Sequence, residues 1–246
     1  MTELVHHDVA DGITTITLDS PHNRNALSRQ LVTELSAALD AAREDDSAVV
    51  VLRSADRVFC SGADLSEVSD GAMEQGTLAL VALQRQIVTH PKAVVVRLAG
   101  PVRAGGLGMV ASADIAICSD DVTFAFTEAR LGVAPAVISL TVLARMTSRA
   151  AADTFLTGRT FDAAEAESMG IVTRSVPSDQ LDEEIAAVCR DLQLAHPQGL
   201  AETKALLAAE LVEHIDEAGD RMAELSARLF ASDGAREAIA AFLQRR

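Results

Sequence analysis

The order of sequence patterns predicts an α/β fold in which parallel strands are joined by helical crossovers. Two short alternating runs, residues 4–9 and Ile13–Leu18, flank an Asp-Gly turn dipeptide and predict an initial β-hairpin. The continuous apolar run at 48–52 is typical of a strand buried on both faces, and the run Ala93–Leu98 predicts another strand. Helical patterns separate these runs, so the chain has the β-α-β-α-β order that parallel strands require.

The first predicted helix begins after Ser28, because a serine hydroxyl suits an N-cap and apolar residues then recur at helical spacing. Those apolar residues are Leu31, Leu35, Ala38, Leu39 and Ala42. A second helical stretch spans 75–88, and a glycine turn with a short helix follows the strand that ends at Leu98. The runs at 115–118 and 122–126 predict two further strands.

From about residue 140 helical patterns dominate, interrupted only at 170–173, and from about residue 186 the sequence is almost entirely helical. No proline-rich or serine-rich linker separates the two parts. We therefore predict a strand-rich core over residues 1–185. The helical region over residues 186–246 is expected to pack on this core or on a neighbouring subunit.

Composition excludes several classes of partner. The 246 residues carry a net charge of −15, and aromatic residues make up only 3%, with no Trp and no Tyr. Such a chain repels nucleic-acid phosphates and anionic membrane surfaces, so neither is a predicted partner. Cys60, Cys118 and Cys189 fit neither a disulfide framework nor metal-ligand spacing, so no metal is predicted and a reducing compartment is expected. Without a secretory leader or a long apolar run, we expect a cytoplasmic protein.

The glycine turn after the strand Ala93–Leu98 is the first candidate site. Residues 106–111 formally match the dinucleotide pattern G-x-G-x-x-G/A. The next strand begins near Ile115, which leaves too short a crossover helix, and the acidic residue that reads the ribose is missing. Two alternatives stay open: glycines needed for close packing, or backbone N–H groups that stabilise a developing charge.

Two polar turns are candidate binding loops. The first, SPHNRNALS at residues 20–28, places Arg24 just before a helix start, where a phosphate could bind. The second, FCSGADLSE at residues 59–67, follows a buried strand, and its Asp64 can cap a short helix with exposed N–H groups. Either turn taken alone is equally explained as a capped, solvated turn.

Glu128 is the candidate acid/base. It follows an apolar strand, and no other carboxylate occurs between residues 129 and 152. A lone acid in apolar surroundings has a raised pKa and suits proton transfer. The alternative is a surface residue paired with Arg130 or Arg145.

Taken together, these segments resemble the crotonase superfamily, which includes the enoyl-CoA hydratases and isomerases. The matching stretches are SPHNRNALS, FCSGADLSE, AGPVRAGGLG, FTEARLGVAP, LTGRTFDAAEAESMGIVTRSVP and AREAIAAFLQRR. They follow the family's order and cover essentially the whole chain. The resemblance implies a spiral of β-β-α repeats with a C-terminal helical trimerisation region. It also implies an acyl-CoA thioester substrate, no separate cofactor because coenzyme A is part of that substrate, and a homotrimer or dimer of trimers.

The resemblance assigns roles as well. The N–H groups of Ala63 and Gly105 become the two donors that stabilise the thioester oxyanion, and Glu128 becomes the acid/base. The expected substrate contacts are Arg24, Ala26, Ser61, Gly62, Asp64, Leu65 and Gly108, with Arg24 as the phosphate partner. The residues that could line the acyl pocket, or could simply be core, are Met73, Leu78, Leu83, Met109, Val137 and Ile138.

Gly108 stands where two-glutamate hydratases of this family carry their first glutamate. A single carboxylate favours moving one proton between C2 and C4, which is double-bond isomerisation. However, glycine at 108 together with the T-E-x-R-x-G-x-x-P-A pattern around Glu128 resembles hydratases of short branched substrates such as methylglutaconyl-CoA. We therefore predict a hydratase, and keep an isomerase and a non-catalytic acyl-CoA binder as alternatives.

Overall fold

Strands and helices alternate along most of the chain in the computed structural model of the protein, which describes residues 2–67 and 72–244. The strands are β1 (Val5–Ala10), β2 (Ile13–Leu18), β3 (Val49–Ser54), β4 (Ala93–Leu98), β5 (Val102–Arg103), β6 (Ile115–Ser119), β7 (Thr123–Ala125), β8 (Thr160–Asp162) and β9 (Arg174–Val176). The α-helices are α1 (Arg29–Glu44), α2 (Ala72–Val88), α3 (Gly105–Ser112), α4 (Ala136–Arg145), α5 (Ser148–Thr157), α6 (Ala163–Met169), α7 (Leu181–Gln193), α8 (Pro197–Phe230) and α9 (Asp233–Leu243). Short 3₁₀ helices occupy Pro21–Asn23, Leu65–Glu67 and Glu128–Leu131.

The larger sheet has the strand order β1-β2-β3-β4-β6-β9 within the described residues. β1 and β2 are antiparallel, with Val5 opposite Leu18, whereas every later neighbouring pair is parallel. Between β1 and β2 the φ angles are 51° at Asp11 and 73° at Gly12, as a tight hairpin turn requires. The predicted hairpin and the predicted parallel strands are therefore confirmed.

The central strands of this sheet are buried on both faces. On one face Val50 and Val94 belong to the main hydrophobic core. On the other face Val49 and Val95 pack with Leu181 of α7. This arrangement explains why β3 and β4 each begin with four consecutive apolar residues instead of alternating ones.

A second layer of short strands lies beside the large sheet. β5, β7 and β8 pair in that order, and isolated bridges join Cys60 to Val102 and Leu27 to Ala63. Each turn of the chain thus adds a long strand, a short strand and a helix, as in β4-β5-α3 and β6-β7-α4. This repeat confirms the predicted spiral of β-β-α units.

Helix α1 forms as its sequence pattern predicts. The Ser28 hydroxyl oxygen accepts a hydrogen bond from the N–H of Leu31 at 3.2 Å, which caps the first turn. Leu31, Leu35 and Leu39 recur on the buried face and belong to the main core. The helix therefore packs on the sheet and fixes the loop at residues 20–28 that precedes it.

The C-terminal helices pack on their own chain. α8 lies against α2 and α4, where Ile215 packs with Leu140. Lys204, which is 6% exposed, anchors the first half of α8, since its ammonium donates to Asp114 Oδ2 at 2.7 Å and to the Ile87 carbonyl at 3.1 Å. Within the described residues, no helix has both the length and the apolar character needed to cross a membrane.

One sequence expectation about this half needs correction. The sequence predicts helices after residue 140 with a single interruption at 170–173, but β8 also interrupts them. Residues 170–173 form a turn that leads into β9. Gly170 ends α6 with a φ of 88°, and the N–H of Thr173 then reaches the Ala116 carbonyl at 2.7 Å to start the pairing with β6. The predicted boundary at residue 185 falls inside α7, and residues 1, 245 and 246 lie outside the described residues. The division into two regions stays a prediction.

Candidate active site

A cavity of about 980 Å³ opens between the second-layer loops and helices α2, α4, α8 and α9. The predicted site residues that line it are Arg24, Ala26, Ser61, Ala63, Asp64, Leu65, Gly105 and Glu128. Gly62 and Gly108 are not among the described residues of its wall. The fold therefore gathers segments from four separate parts of the sequence around one cavity.

The loop at residues 59–67 carries the N–H of Ala63 and is called the first donor loop. Leu27 donates its N–H to the Gly62 carbonyl at 2.8 Å, which ties this loop to the segment before α1. Ser61 strengthens the tie, because its hydroxyl donates to the Asn23 carbonyl at 3.0 Å. Within the described part of the chain the N–H of Ala63 donates to no acceptor. It is therefore available to a ligand in the cavity.

The second donor is the N–H of Gly105, the first residue of α3. A helix N-terminus leaves its first N–H groups unbonded and carries a partial positive charge. All eight residues of α3 are buried, and no described acceptor takes the Gly105 N–H. A Cβ atom at Gly105 would lie 2.7 Å from Leu27 Cδ1, so a glycine lets the backbone approach the cavity wall.

Glu128 faces the same cavity from the 3₁₀ helix that follows β7. The residue is only 8% exposed, and its Oε2 atom has no hydrogen-bond partner among the described residues. Burial raises the pKa of Glu128 to about 7, and a hydrogen bond from its own N–H lowers the pKa only in part. The carboxyl group can therefore both release and take up a proton near neutral pH.

Neither arginine proposed as a surface partner of Glu128 pairs with it. Arg130 Nε donates to the Thr157 carbonyl at 2.8 Å, and Arg145 Nε donates to the Ala111 carbonyl at 3.0 Å. The surface ion pair considered from the sequence is therefore wrong.

Gly108 lies inside α3, where neighbouring side chains fill the space that a Cβ atom would need. That Cβ would lie 2.7 Å from Ile138 Cγ2 and 3.0 Å from Gln84 Oε1. Gln84 is fully buried, and its Oε1 accepts a hydrogen bond from the Thr141 hydroxyl at 2.7 Å. Ile138, not Gly108, lines the cavity at this point.

One part of the cavity wall carries a positive side chain that has no partner among the described residues. Arg24 ends the 3₁₀ helix Pro21–Asn23, and its guanidinium forms no hydrogen bond or ion pair with the described residues. Asp64, by contrast, accepts hydrogen bonds from Asn23 Nδ2 at 2.9 Å and from the N–H of Ser66 at 3.0 Å. Burial raises the pKa of Asp64, but these hydrogen bonds outweigh burial and hold the pKa below its ordinary value. Arg24 is thus free to meet an anion, whereas Asp64 organises its loop.

The apolar lining matches the sequence in part. Of the six apolar candidates, Met73, Val137 and Ile138 line the cavity, Leu83 and Met109 lie in the core, and Leu78 is 41% exposed. Sequence reasoning missed the wall that the C-terminal helices supply. That wall consists of Ser226, Phe230, Phe242 and Leu243. No local signal identifies these residues, because only the packing of α8 and α9 brings them to the site.

The chain belongs to the enoyl-CoA hydratase/isomerase family, whose sequence model matches residues 8–246. The crystal structure of an enoyl-CoA hydratase from Mycobacterium avium is 44% identical, has a TM-score of 0.93, and covers 100% of this chain and 98% of its own. A Thermus thermophilus protein named "putative enoyl-CoA hydratase" is 31% identical over 242 residues, 95% of each chain. The 4-chlorobenzoyl coenzyme A dehalogenase-2 of an Arthrobacter species is 34% identical over 213 residues, which cover 81% of this chain and 77% of the relative. Because these relatives differ in reaction, family membership alone leaves the reaction open.

Proposed function

We propose that the protein hydrates an enoyl-CoA thioester with Glu128 as its single acid/base. The observation that carries this proposal is the buried Glu128 carboxylate, whose Oε2 atom has no hydrogen-bond partner among the described residues, in the same cavity as two N–H groups that no described acceptor takes. Attack of water at C3 moves negative charge onto the thioester oxygen, where the N–H groups of Ala63 and Gly105 stabilise it. Loss of one such donor typically costs about 3 kcal/mol.

The proton balance needs only one carboxylate. The Glu128 carboxylate takes a proton from the attacking water as the water oxygen bonds to C3. The resulting carboxyl then gives its proton to C2 as the enolate collapses, so the net change is the addition of one water. A pKa of about 7 suits a group that must work in both directions.

Coenzyme A is held as part of the substrate, so the reaction uses no separate cofactor. The guanidinium of Arg24, which pairs with no described residue, is the proposed phosphate partner, since charge-assisted hydrogen bonds from Arg suit phosphate oxygens. Ala26, Ser61 and Leu65 form the neighbouring wall, which supports a site for the rest of the nucleotide.

A second candidate is isomerisation of a 3-enoyl-CoA to a 2-enoyl-CoA. The packing of Ile138 and Gln84 over Gly108 favours it, because no carboxylate can extend from that position to hold a water. Glu128 would remove a proton from C2 and return it to C4 while the double bond moves. The same oxyanion donors serve this reaction.

The acyl end of the cavity favours an uncharged substrate. Its wall is formed by Leu131, by residues 133–138 and by parts of α2 and α8, including Leu80 and Phe230. None of these stretches contributes a Lys or Arg to the cavity wall, and Arg103, which does line the cavity next to Ala104, donates to Thr123 Oγ1 at 2.8 Å. A carboxylate buried there without a cation costs several kcal/mol. We therefore expect a neutral acyl chain and not methylglutaconyl.

Incubation with three thioesters separates these reactions. Crotonyl-CoA is expected to gain the mass of one water and lose its ultraviolet absorbance. Methylglutaconyl-CoA is expected to react with a kcat/KM lower by at least about 100-fold, since about 2.7 kcal/mol corresponds to that factor. Conversion of a 3-enoyl-CoA without a mass change, and no hydration of crotonyl-CoA, would establish the isomerase instead. Binding of all three without any reaction would identify a non-catalytic binder.

The pH profile tests the protonation state of Glu128. Because the carboxylate form accepts the first proton, kcat/KM for crotonyl-CoA is expected to rise with pH up to about 7 and then level off. Below that pH the carboxyl group is protonated, and the rate is expected to fall about ten-fold per pH unit. A profile that stays flat from pH 5 to pH 9, with the protein shown folded throughout, contradicts this assignment.

We also propose that the chain assembles as a homotrimer or a dimer of trimers. The support is a set of apolar side chains left exposed on one chain: Leu206 at 79% and Leu207 at 84% on α8, and Leu156 at 79% on α5. Light scattering should give three or six times the chain mass of 25.9 kDa. Leu207→Glu is expected to reduce this mass, whereas Glu202→Gln on the same helix leaves it unchanged. A monomer for the unaltered chain contradicts the proposal.

A further inference from the structure

Ala104 has an unusual backbone conformation beside the second donor. Its φ is 48° and its ψ is −122°, a combination that residues with a side chain rarely adopt. Arg24, which also has a positive φ, stays in the ordinary left-handed region with a φ of 59° and a ψ of 48°. The backbone at Ala104 is therefore strained where a glycine would not be.

Hydrogen bonds on both sides hold Ala104 in this conformation. Its N–H donates to the Ala125 carbonyl of β7 at 3.0 Å, and its carbonyl accepts from the N–H of Leu107 in α3 at 2.9 Å. The peptide group between Ala104 and Gly105 is planar, so a fixed carbonyl also fixes the direction of the Gly105 N–H. The strained residue thus aims one of the two donors.

The Ala104 methyl group also lies beside the other donor loop. A Cβ atom built on Gly62 would lie 2.9 Å from Ala104 Cβ, so the methyl occupies the space beside Gly62. Gly62 has a φ of 95° and directly precedes Ala63, whose N–H is the first donor. Ala104 itself lines the cavity. The Ala104 methyl group therefore occupies the space beside the loop of the first donor, while the Ala104 backbone orients the second donor.

We propose that Ala104 is a positioning residue that sets the separation and direction of the two oxyanion donors. The proposal rests on the proposed function, because it assumes that charge develops on an oxygen held by both N–H groups. The methyl acts as a spacer between the loops, and the strained backbone aims Gly105. The strained conformation of Ala104 lowers the stability of the folded protein but holds the two donors in position.

Ala104→Gly tests the proposal, because it removes the methyl and relieves the strain together. We expect kcat for the preferred enoyl-CoA to fall about 10-fold to 100-fold with KM changed less than about two-fold, as misplaced donors weaken only the charged state. The melting temperature is expected to rise by about 2–4 °C. Ala104→Ser keeps the Cβ atom and should retain kcat within about three-fold. Asp11→Gly changes another positive-φ residue, in the β1–β2 turn, and should leave kcat unchanged.

A second measurement keeps the test independent of turnover. At pH 9 acetoacetyl-CoA ionises to an enolate, whereas butyryl-CoA stays neutral, so their affinities compare charged and neutral thioesters. Ala104→Gly should weaken acetoacetyl-CoA binding about ten-fold and leave butyryl-CoA binding unchanged. The proposal is overturned if Ala104→Gly keeps both the kcat and the enolate affinity of the unaltered protein. It is also overturned if Ala104→Ser loses as much kcat and enolate affinity as Ala104→Gly does. If the unaltered protein discriminates the enolate but turns over no enoyl-CoA, the proposed function fails while this inference stands.

Discussion

Replacement of Glu128 by Gln is expected to lower kcat by about 10²–10⁴-fold, the usual contribution of a general acid–base group. Gln keeps the size and polarity of the side chain but can neither accept nor release a proton in the reaction. Affinity for a non-reactive acyl-CoA should change little, because the proposed phosphate contact at Arg24 and the donors at Ala63 and Gly105 are untouched. Stopped-flow turnover and calorimetric binding of butyryl-CoA measure the two effects separately.

Glu202→Gln is the matched control, because Glu202 is an exposed carboxylate on α8 that lies outside the cavity wall. This variant should keep the kcat of the unaltered protein. Wild-type turnover by Glu128→Gln on every substrate that the protein processes would falsify the acid/base role.

The same substitution should stabilise the protein at alkaline pH. Burial raises the pKa of Glu128 from an ordinary 4.5 to about 7, so the folded state holds the proton more tightly than the unfolded chain. The free energy of unfolding therefore falls as pH rises from about 4.5 to about 7. Glu128→Gln removes this penalty, and its melting temperature should exceed that of the unaltered protein at pH 8 but not at pH 4. Equal differences at both values contradict the assignment of the raised pKa.

Gly100→Ala is expected to reduce the free energy of unfolding by at least about 3 kcal/mol, more than most core substitutions. The added Cβ would overlap the Arg57 carbonyl oxygen and would lie 2.5 Å from the Arg57 carbonyl carbon. Both contacts are to backbone, which cannot rotate away as a side chain can. The segment is also held in place, since Phe59 donates its N–H to the Pro101 carbonyl at 3.1 Å. Urea unfolding followed by circular dichroism measures the loss.

Gly199→Ala provides the comparison for this prediction. Gly199 lies in α8, and a Cβ there meets no atom within 4 Å. Alanine in an open helical position should raise the free energy of unfolding by about 0.5–1 kcal/mol. If the two alanine variants unfold at the same urea concentration, the close backbone approach at Gly100 is not the cause of any loss.

Local patterns were sufficient for much of the fold. Ser28 and the apolar spacing after it predict α1, and the continuous run Ala93–Leu98 coincides with β4. These patterns predict α1 and β4 because a helix cap and a buried strand depend on residues that are close together in the sequence. The position of β9 was harder, because its pairing with β6 depends on where Gly170 ends the preceding helix.

The candidate site likewise has some features that the local sequence predicts and others that depend on tertiary packing. The lone carboxylate at Glu128 and the glycine at 105 are visible in the sequence as unusual residues in apolar surroundings. The contacts of Gly108 with Ile138 and Gln84 are not visible, because these residues lie 30 and 24 positions away along the chain. The conformation of Ala104 is equally hidden, since alanine gives no sign of a strained backbone. Tertiary packing decides each of these features.

The packing around Gly108 restricts how this sequence can evolve. Glutamate at 108 in the present background would collide with Ile138 and with the Gln84 side chain that Thr141 holds. A smaller residue at 138 must therefore be acquired before an acidic residue at 108 becomes tolerable, so the effect of one substitution depends on the other. No single replacement at 108 therefore adds a second carboxylate to this cavity without a clash.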